Sequence, residues 1–249
     1  MAGVCCVLGG AKVLFNTTEV ARHVSNVIAP VVGLVSPLLL PVEPYWAIAR
    51  KETNGVIDID SPVLLITLSL IVLAPLIWNT LARLEYYTHI LTKIFFGNKY
   101  WGCYALALWI FFFSLYRDFW YFELLETQPQ WQLLLPSRPI LQLISAFLFL
   151  TGSFLVLSSF FALGITGTYL GDYFGILLTE RVTGFPFNVT NNPMYNGSSI
   201  IFLSHALNRC SAAGLLVSVF VFVVYRIALL FEEPFTTKIY ARAQHQKTR

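Results

Sequence analysis

Residues 198–231 read SSIIFLSHALNRCSAAGLLVSVFVFVVYRIALLF, and Glu232-Glu233 come directly after them. As one helix rising 1.5 Å per residue, this stretch would be about 50 Å long. The hydrocarbon core of a bilayer is about 30 Å thick, so a single perpendicular span is excluded. Its middle holds His205, then Asn208-Arg209-Cys210-Ser211 and Gly214, a polar and flexible break. The reading is two helices, 197–208 and 214–231, folded as a hairpin. A hairpin returns the chain to the face it left and brings Asn192–Tyr195 beside Glu232 and Glu233. Carboxylates at the centre of a membrane helix cost about 2.5–3.5 kcal/mol each on the milder insertion scale. The pair therefore marks either the water boundary or, coupled to the polar segment upstream, a site for a cationic ligand.

The rest of the chain supports a membrane setting. Of 249 residues, 57% are hydrophobic and 12% charged, with a mean hydropathy of +0.68. Soluble domains carry about 25% charged residues. No charge occurs between Arg138 and Asp172, and Arg226 is the only one between Ser211 and Phe231. Trp78, Tyr100, Trp101, Tyr116 and Trp120 flank the apolar runs as interfacial aromatics do. A net charge of +3 gives no reason to expect nucleic acid as a partner. Lys238, Arg242, Lys247 and Arg249 form a basic tail, which predicts a cytosolic C-terminus. Cys5, Cys6, Cys103 and Cys210 lack metal-ligand spacing and read as buried or interfacial thiols; no metal site is expected.

These patterns predict an all-α, multi-span transmembrane helical bundle with a C-terminal helical hairpin. Residues 1–54 form an N-terminal extension, where Pro30, Pro37 and Pro41 favour kinked or interfacial helices. Residues 55–245 form the membrane domain. Its first span is expected at Pro62–Trp78, and the amphipathic Asn79–Lys99 next to it reads as an interface helix or a helical extension. A second span is expected at Tyr100–Tyr116, a polar and aromatic connection at Arg117–Arg138, and a third span at Pro139–Gly171. Asp172–Asn196 has no regular period, yet its aromatic content argues for an ordered, functional loop.

The run GTYLGDYFGILLTERVTGFPFNVTNNPMYNGS (residues 167–198), then YRIALLFEEPFTTKIYARA (residues 225–243), closely resembles the phosphatidylethanolamine N-methyltransferases, the phospholipid methyltransferase family. Residues 57–97 resemble the family's first span and the segment after it. The resemblance implies methyl transfer from S-adenosylmethionine to the amino group of a phospholipid in the bilayer, in the endoplasmic reticulum membrane or alternatively a mitochondrial one. It implies cofactor binding by a G-x-G on the third span and by a Glu pair. The Glu pair falls on Glu232 and Glu233. The G-x-G falls on Leu150-Thr151-Gly152, where leucine replaces the first glycine, and Gly152 acts either by contact or by helix packing. Asn192 and Tyr195, in the N-P-M-Y block that opens the hairpin, complete the expected cofactor-binding set.

A carboxylate pair suits the α-ammonium of that donor through charge-assisted hydrogen bonds. Phe185, Phe187 and Tyr195 are candidates for contact with its adenine or, by cation–π attraction, its sulfonium. The lipid amine must lose a proton before it attacks. A nearby carboxylate or His205 would accept that proton, though His205 reads more simply as a packed residue. An isoprenylcysteine carboxyl methyltransferase-like enzyme and a non-enzymatic membrane scaffold are the alternatives.

Overall fold

A computed structural model describes residues 56–129, 138–179 and 182–247. The N-terminal extension, with Cys5 and Cys6, lies outside them. The described residues are organised as helices: α1 (Pro62–Thr88), α2 (Ile90–Ile94), α3 (Lys99–Thr127), α4 (Arg138–Thr168), α5 (Pro193–Asn208) and α6 (Ala212–Lys247), with a single helical turn at Gly171–Phe174. Three stretches are long and apolar enough to cross a membrane: α1, α4 continued through that turn, and α6. The transmembrane helical bundle expected from composition is the observed fold.

Helix α1 starts on Pro62, where the missing N–H has no intrahelical partner to lose. It runs on through Pro75 to Thr88, well beyond the expected end at Trp78. His89, in the left-handed conformation at φ 54°, ends it. The chain then turns sharply into α2, and the fully buried carboxylate of Glu85 holds that turn. It accepts the backbone N–H groups of Leu91 at 2.7 Å and Thr92 at 3.2 Å, together with the Thr92 hydroxyl. Of the two readings of Asn79–Lys99, an interface helix or a helical extension, the extension holds as far as Thr88, and a turn and the short α2 follow. A charged side chain satisfying helix N-terminal donors explains the break.

Asn98 caps α3, its side chain accepting from the N–H groups of Tyr100 and Trp101. The helix passes the expected stop at Tyr116 because its next two charges are internally neutralised. Nη2 and Nε of Arg117 reach Oδ1 of Asp118 at 2.5 and 3.0 Å, and Nη1 donates to the Tyr225 hydroxyl at 2.9 Å. Trp, Tyr and this ion pair dilute the helix, which falls outside the three long apolar spans. Its outward face, through Trp101, Leu108, Phe112 and Phe119, is nevertheless apolar.

Gly164, at φ 65° and ψ −175°, interrupts α4 near its end. An L-residue with a side chain would be strained there. The expected third span is therefore bent before it delivers the Gly171–Phe174 turn.

Helices α5 and α6 form the hairpin. Cys210, at φ 48°, makes the turn, and the Ser211 hydroxyl accepts from the Gly214 N–H at 3.0 Å. A Cβ on Gly214 would meet Leu125 Cδ2 at 2.5 Å and Ala206 Cβ at 2.9 Å, so α6 starts in direct contact with α3 and α5. Arg209 and Glu126 form an ion pair at this end. Helices α4 and α5 pack antiparallel through Ser145, whose hydroxyl donates to Ser204 O at 2.7 Å, and through Gly152 against Gly197. Leu143, Phe147, Phe154 and Phe161 face outward on α4; Leu216, Val219 and Leu230 do so on α6. In water such stripes would aggregate. In lipid they are the solvated surface.

Candidate functional site

The hairpin brings Asn192 and Tyr195 to the Glu pair, as its length requires. The two carboxylates do different things. Successive residues of a helix project about 100° apart, so Glu232 turns inward while Glu233 stays exposed. Oε1 of Glu232 accepts from Trp78 Nε1 at 2.8 Å and from Asn79 Nδ2 at 2.7 Å. Oε2 accepts from the Tyr195 hydroxyl at 2.7 Å. An ionised carboxylate is an acceptor only, and here three neutral donors from two other helices satisfy it. Glu232 thus ties α1, α5 and α6 into one junction. Glu233 sits at the rim, its Oε1 accepting from Asn192 Nδ2 at 2.7 Å. The helix continues past both residues through Pro234 to Lys247, so the pair lies within α6 and not at its exit.

Beside this junction is a cavity of about 200 Å³. Its polar wall carries Asn192, Tyr195, Glu232 and Glu233, and also Asp172, Thr168 and Thr236. Leu163, Leu178, Val182, Phe187 and Leu229 supply apolar surface. Asp172, on the turn after α4, is partly exposed and accepts from the Thr236 hydroxyl at 2.9 Å through Oδ2. Thr168 Oγ1 is buried in the wall without a hydrogen-bond partner. Such an orphaned hydroxyl calls for a ligand or water to satisfy it. Among the described residues, no group of three His, Cys, Asp or Glu side chains is placed to hold a metal ion.

Of the seven residues expected to bind cofactor, Asn192, Tyr195, Glu232 and Glu233 line this cavity. Leu150, Thr151 and Gly152 do not. Leu150 is 65% exposed on the lipid face. The Thr151 hydroxyl donates to Phe147 O of its own helix at 2.9 Å. A Cβ on Gly152 would lie 2.7 Å from Gly197 O, and one on Gly197 would lie 2.7 Å from Gly152 O. These two glycines let α4 and α5 touch backbone to backbone, the packing alternative for Gly152. Phe187 reaches the cavity, whereas Phe185 packs on Phe154 with ring centroids 5.6 Å apart. His205 is buried between Phe122 and Phe149, at the hairpin end away from the cavity.

Trp78, Asn79, Asp172, Thr168 and Thr236 were not anticipated. Asp172 carried a signal, being the first charge after an uncharged stretch that begins beyond Arg138. Thr236 carried a weaker one, lying one helical turn from Glu232. The role of Trp78 and Asn79 depends on α1 passing unbroken through Pro75, which the proline conceals.

Fold and site together define an integral membrane protein with a carboxylate-lined pocket where its helical hairpin opens. Comparison with known proteins makes the class specific. Residues 141–243 match the Phospholipid methyltransferase family. The chain is 51% identical over 187 residues to a phosphatidyl-N-methylethanolamine N-methyltransferase of Schizosaccharomyces pombe, covering 75% of this chain and 94% of that protein. It is 50% identical over 187 residues to phosphatidylethanolamine N-methyltransferase A of Dictyostelium discoideum, covering 75% and 86%. It is 41% identical over 197 residues to the human phosphatidylethanolamine N-methyltransferase, covering 78% and 98%. The chain belongs to the phospholipid methyltransferase family and is an enzyme of that kind. No solved structure matches it.

Proposed function

We propose that the protein methylates the amino headgroup of phosphatidylethanolamine, or of its mono- and dimethylated forms, toward phosphatidylcholine, and that the cavity holds S-adenosylmethionine. The relatives' names support the reaction. The observation that carries the site is the pairing of an exposed carboxylate, Glu233, with a buried neighbour, Glu232, that already accepts three hydrogen bonds from the surrounding helices. One carboxylate builds the wall and the other is left for a cationic ligand.

The residues present fit this donor. Glu233 would hold the α-ammonium, with Asn192 fixing the carboxylate. Thr168 Oγ1 would satisfy a polar group of the ligand, and Phe187 and Tyr195 offer aromatic surface beside the cations. S-adenosylmethionine supplies an electrophilic methyl carbon bonded to a sulfonium sulfur. Asp172, held by Thr236, would take the proton from the lipid ammonium. The amine so freed would be placed to attack that methyl carbon, with the sulfur leaving as a neutral thioether. Chemistry of this kind needs alignment and one proton acceptor, not a covalent intermediate. The basic tail supports a cytosolic C-terminus, and the endoplasmic reticulum membrane is the expected location, with mitochondria as the alternative.

The test is the protein purified into nanodiscs of phosphatidylethanolamine and supplied with methyl-labelled S-adenosylmethionine. The expected result is label on the lipid nitrogen, with Glu233→Gln needing about ten- to a hundredfold more donor for the same rate. Label appearing on a prenylated cysteine ester, or on no lipid, overturns the reading.

A further inference from the structure

The polar seam between α5 and α6 continues past the cavity on the lipid-facing side. Asn196 lies one turn after Asn192, its N–H donating to Asn192 O at 3.0 Å, so the two amides share a face about 6 Å apart along the axis. Asn192 meets Glu233, and Asn196 Oδ1 accepts from Arg226 Nη2 at 3.1 Å. Arg226 and Glu233 are seven residues apart on α6, which places them on one face of that helix. A carboxylate and a guanidinium therefore lie on the same face of α6, each bonded to an amide of α5, with the carboxylate at the cavity and the guanidinium deeper in the apolar run.

Arg226 is an expensive residue where it stands. It is exposed among the exposed apolar side chains Phe222, Val223 and Ile227. Among the described residues its guanidinium has one hydrogen-bonding side chain, Asn196, and lies 4.9 Å from the Phe222 ring. No described carboxylate is within ion-pair distance of it, in contrast to Arg117 and Arg209. Five N–H donors with one acceptor, at the edge of hydrocarbon, are a site for an oxyanion.

We propose that Arg226 and Asn196 form the subsite for the phosphodiester of the lipid substrate. This deepens the reading of the cavity as a lipid amine methylation site and rests on it. An aminoethyl phospholipid carries its ammonium at the outer tip and its phosphodiester two carbons and an oxygen nearer the acyl chains. The seam between α5 and α6 offers the matching order: carboxylates of Glu233 and Asp172 at the cavity, a guanidinium on the acyl side. A fork of planar donors suits a phosphodiester better than a point charge does. Arg226 is then a positioning and specificity residue. It holds the phosphate so that the amine reaches the cavity, and it selects a lipid over a free amine.

The test is binding in detergent micelles without methyl donor, so that it does not depend on turnover. Two synthetic lipids are compared: phosphatidyl-N,N-dimethylethanolamine, with an anionic phosphodiester, and the same lipid with that phosphate methylated to a neutral triester. The wild-type protein should prefer the diester by about ten- to a hundredfold, the range of one charge-assisted contact. Arg226→Gln should lose that preference, Arg226→Lys should keep part of it, and S-adenosylmethionine affinity should be unchanged in both. Absence of a diester preference in the wild type, or an intact preference in Arg226→Gln, overturns the proposal. Equal loss of both lipids in Arg226→Gln also overturns it, because Arg226 would then be structural. Inorganic phosphate at millimolar concentration should not displace the lipid; displacement would assign the subsite to free anions instead. A diester preference without methylated product would spare this subsite while rejecting the catalytic reading.

Discussion

The indole of Trp78 donates to Oε1 of Glu232 across 2.8 Å, joining a helix near the start of the described chain to one at its end, 154 residues apart. Asn79 and Tyr195 complete the same carboxylate. The junction fixes where α5 and α6 diverge, and hence where the cavity opens. It also means that two adjacent, identical residues differ in what their loss should do.

Replacing Glu232 by Gln leaves one acceptor oxygen for Trp78 and Asn79, but sets an NH2 where Oε2 now accepts from the Tyr195 hydroxyl. Leaving buried polar groups unsatisfied costs about 1–3 kcal/mol. Glu232→Gln should therefore lower the thermal midpoint in detergent as well as donor affinity. Glu233→Gln removes an exposed charge held by one amide. It should leave the midpoint unchanged and weaken S-adenosylmethionine binding about ten- to a hundredfold. Calorimetric titration and a melting curve on each variant check both halves. Equal melting losses would mean that the two carboxylates are not divided as described.

Gly152 tests the other part of the expected cofactor set. A leucine there must displace Gly197 O, 2.7 Å from its Cβ, and Ile201 Cγ1, 2.8 Å away. Overpacking of this kind costs about 1–3 kcal/mol. Gly152→Leu should lower protein yield and stability, and Gly197→Leu should do the same, since the two glycines face each other. The protein that does fold should bind S-adenosylmethionine normally. A tenfold loss of donor affinity with unchanged melting would instead place Gly152 in the cofactor site.

The hairpin was legible because two quantities sufficed: a length of about 50 Å against a bilayer core of about 30 Å, and a polar break at Asn208–Ser211. The meeting of Asn192–Tyr195 with the Glu pair came with it. The inward and outward split of Glu232 and Glu233 was not legible, because it depends on the rotation of α6 against α1. That rotation is set by packing, not by pattern. Arg117 misled in the same way: it opens the expected polar connection after Tyr116, and its bonds to Asp118 and Tyr225 let the helix run on instead. Gly152 shows the reverse case, a motif position whose observed contacts are those of helix packing.

Asp172 offers a kinetic test of the proton acceptor. Asp172→Asn keeps the size of the side chain and an acceptor oxygen for Thr236 but removes the base. Loss of a positioned general base lowers turnover about 10²- to 10⁴-fold. The KM for the methyl donor should change little. The residual rate should rise with pH, because the lipid amine must then lose its proton to water before attack. Stopped reactions on phosphatidyl-N-methylethanolamine micelles between neutral and alkaline pH measure this. A residual rate independent of pH, or an unchanged kcat, would assign proton removal elsewhere.

Topology is the last expectation, and the helix lengths sharpen it. The apolar part of α6, residues 212–231, would rise about 30 Å, the full hydrocarbon thickness. The turn at Arg209–Ser211 then reaches the opposite interface, where the partly exposed Arg209–Glu126 ion pair meets water. Both open ends of the hairpin must share one face, because Asn192 and Glu233 are hydrogen-bonded. With a basic tail, that face should be cytosolic, where soluble S-adenosylmethionine is available. The sequons at Asn188 and Asn196 should accordingly carry no glycan. In a protein with its four cysteines replaced, single cysteines at Asn191 and Thr237, both exposed, should react equally with a membrane-impermeant maleimide added from the cytosolic side. A cysteine at Glu126 should be protected from that side and react from the other. Labelling of Asn191 and Thr237 from opposite sides would separate the two arms of the cavity and remove the basis for a shared site.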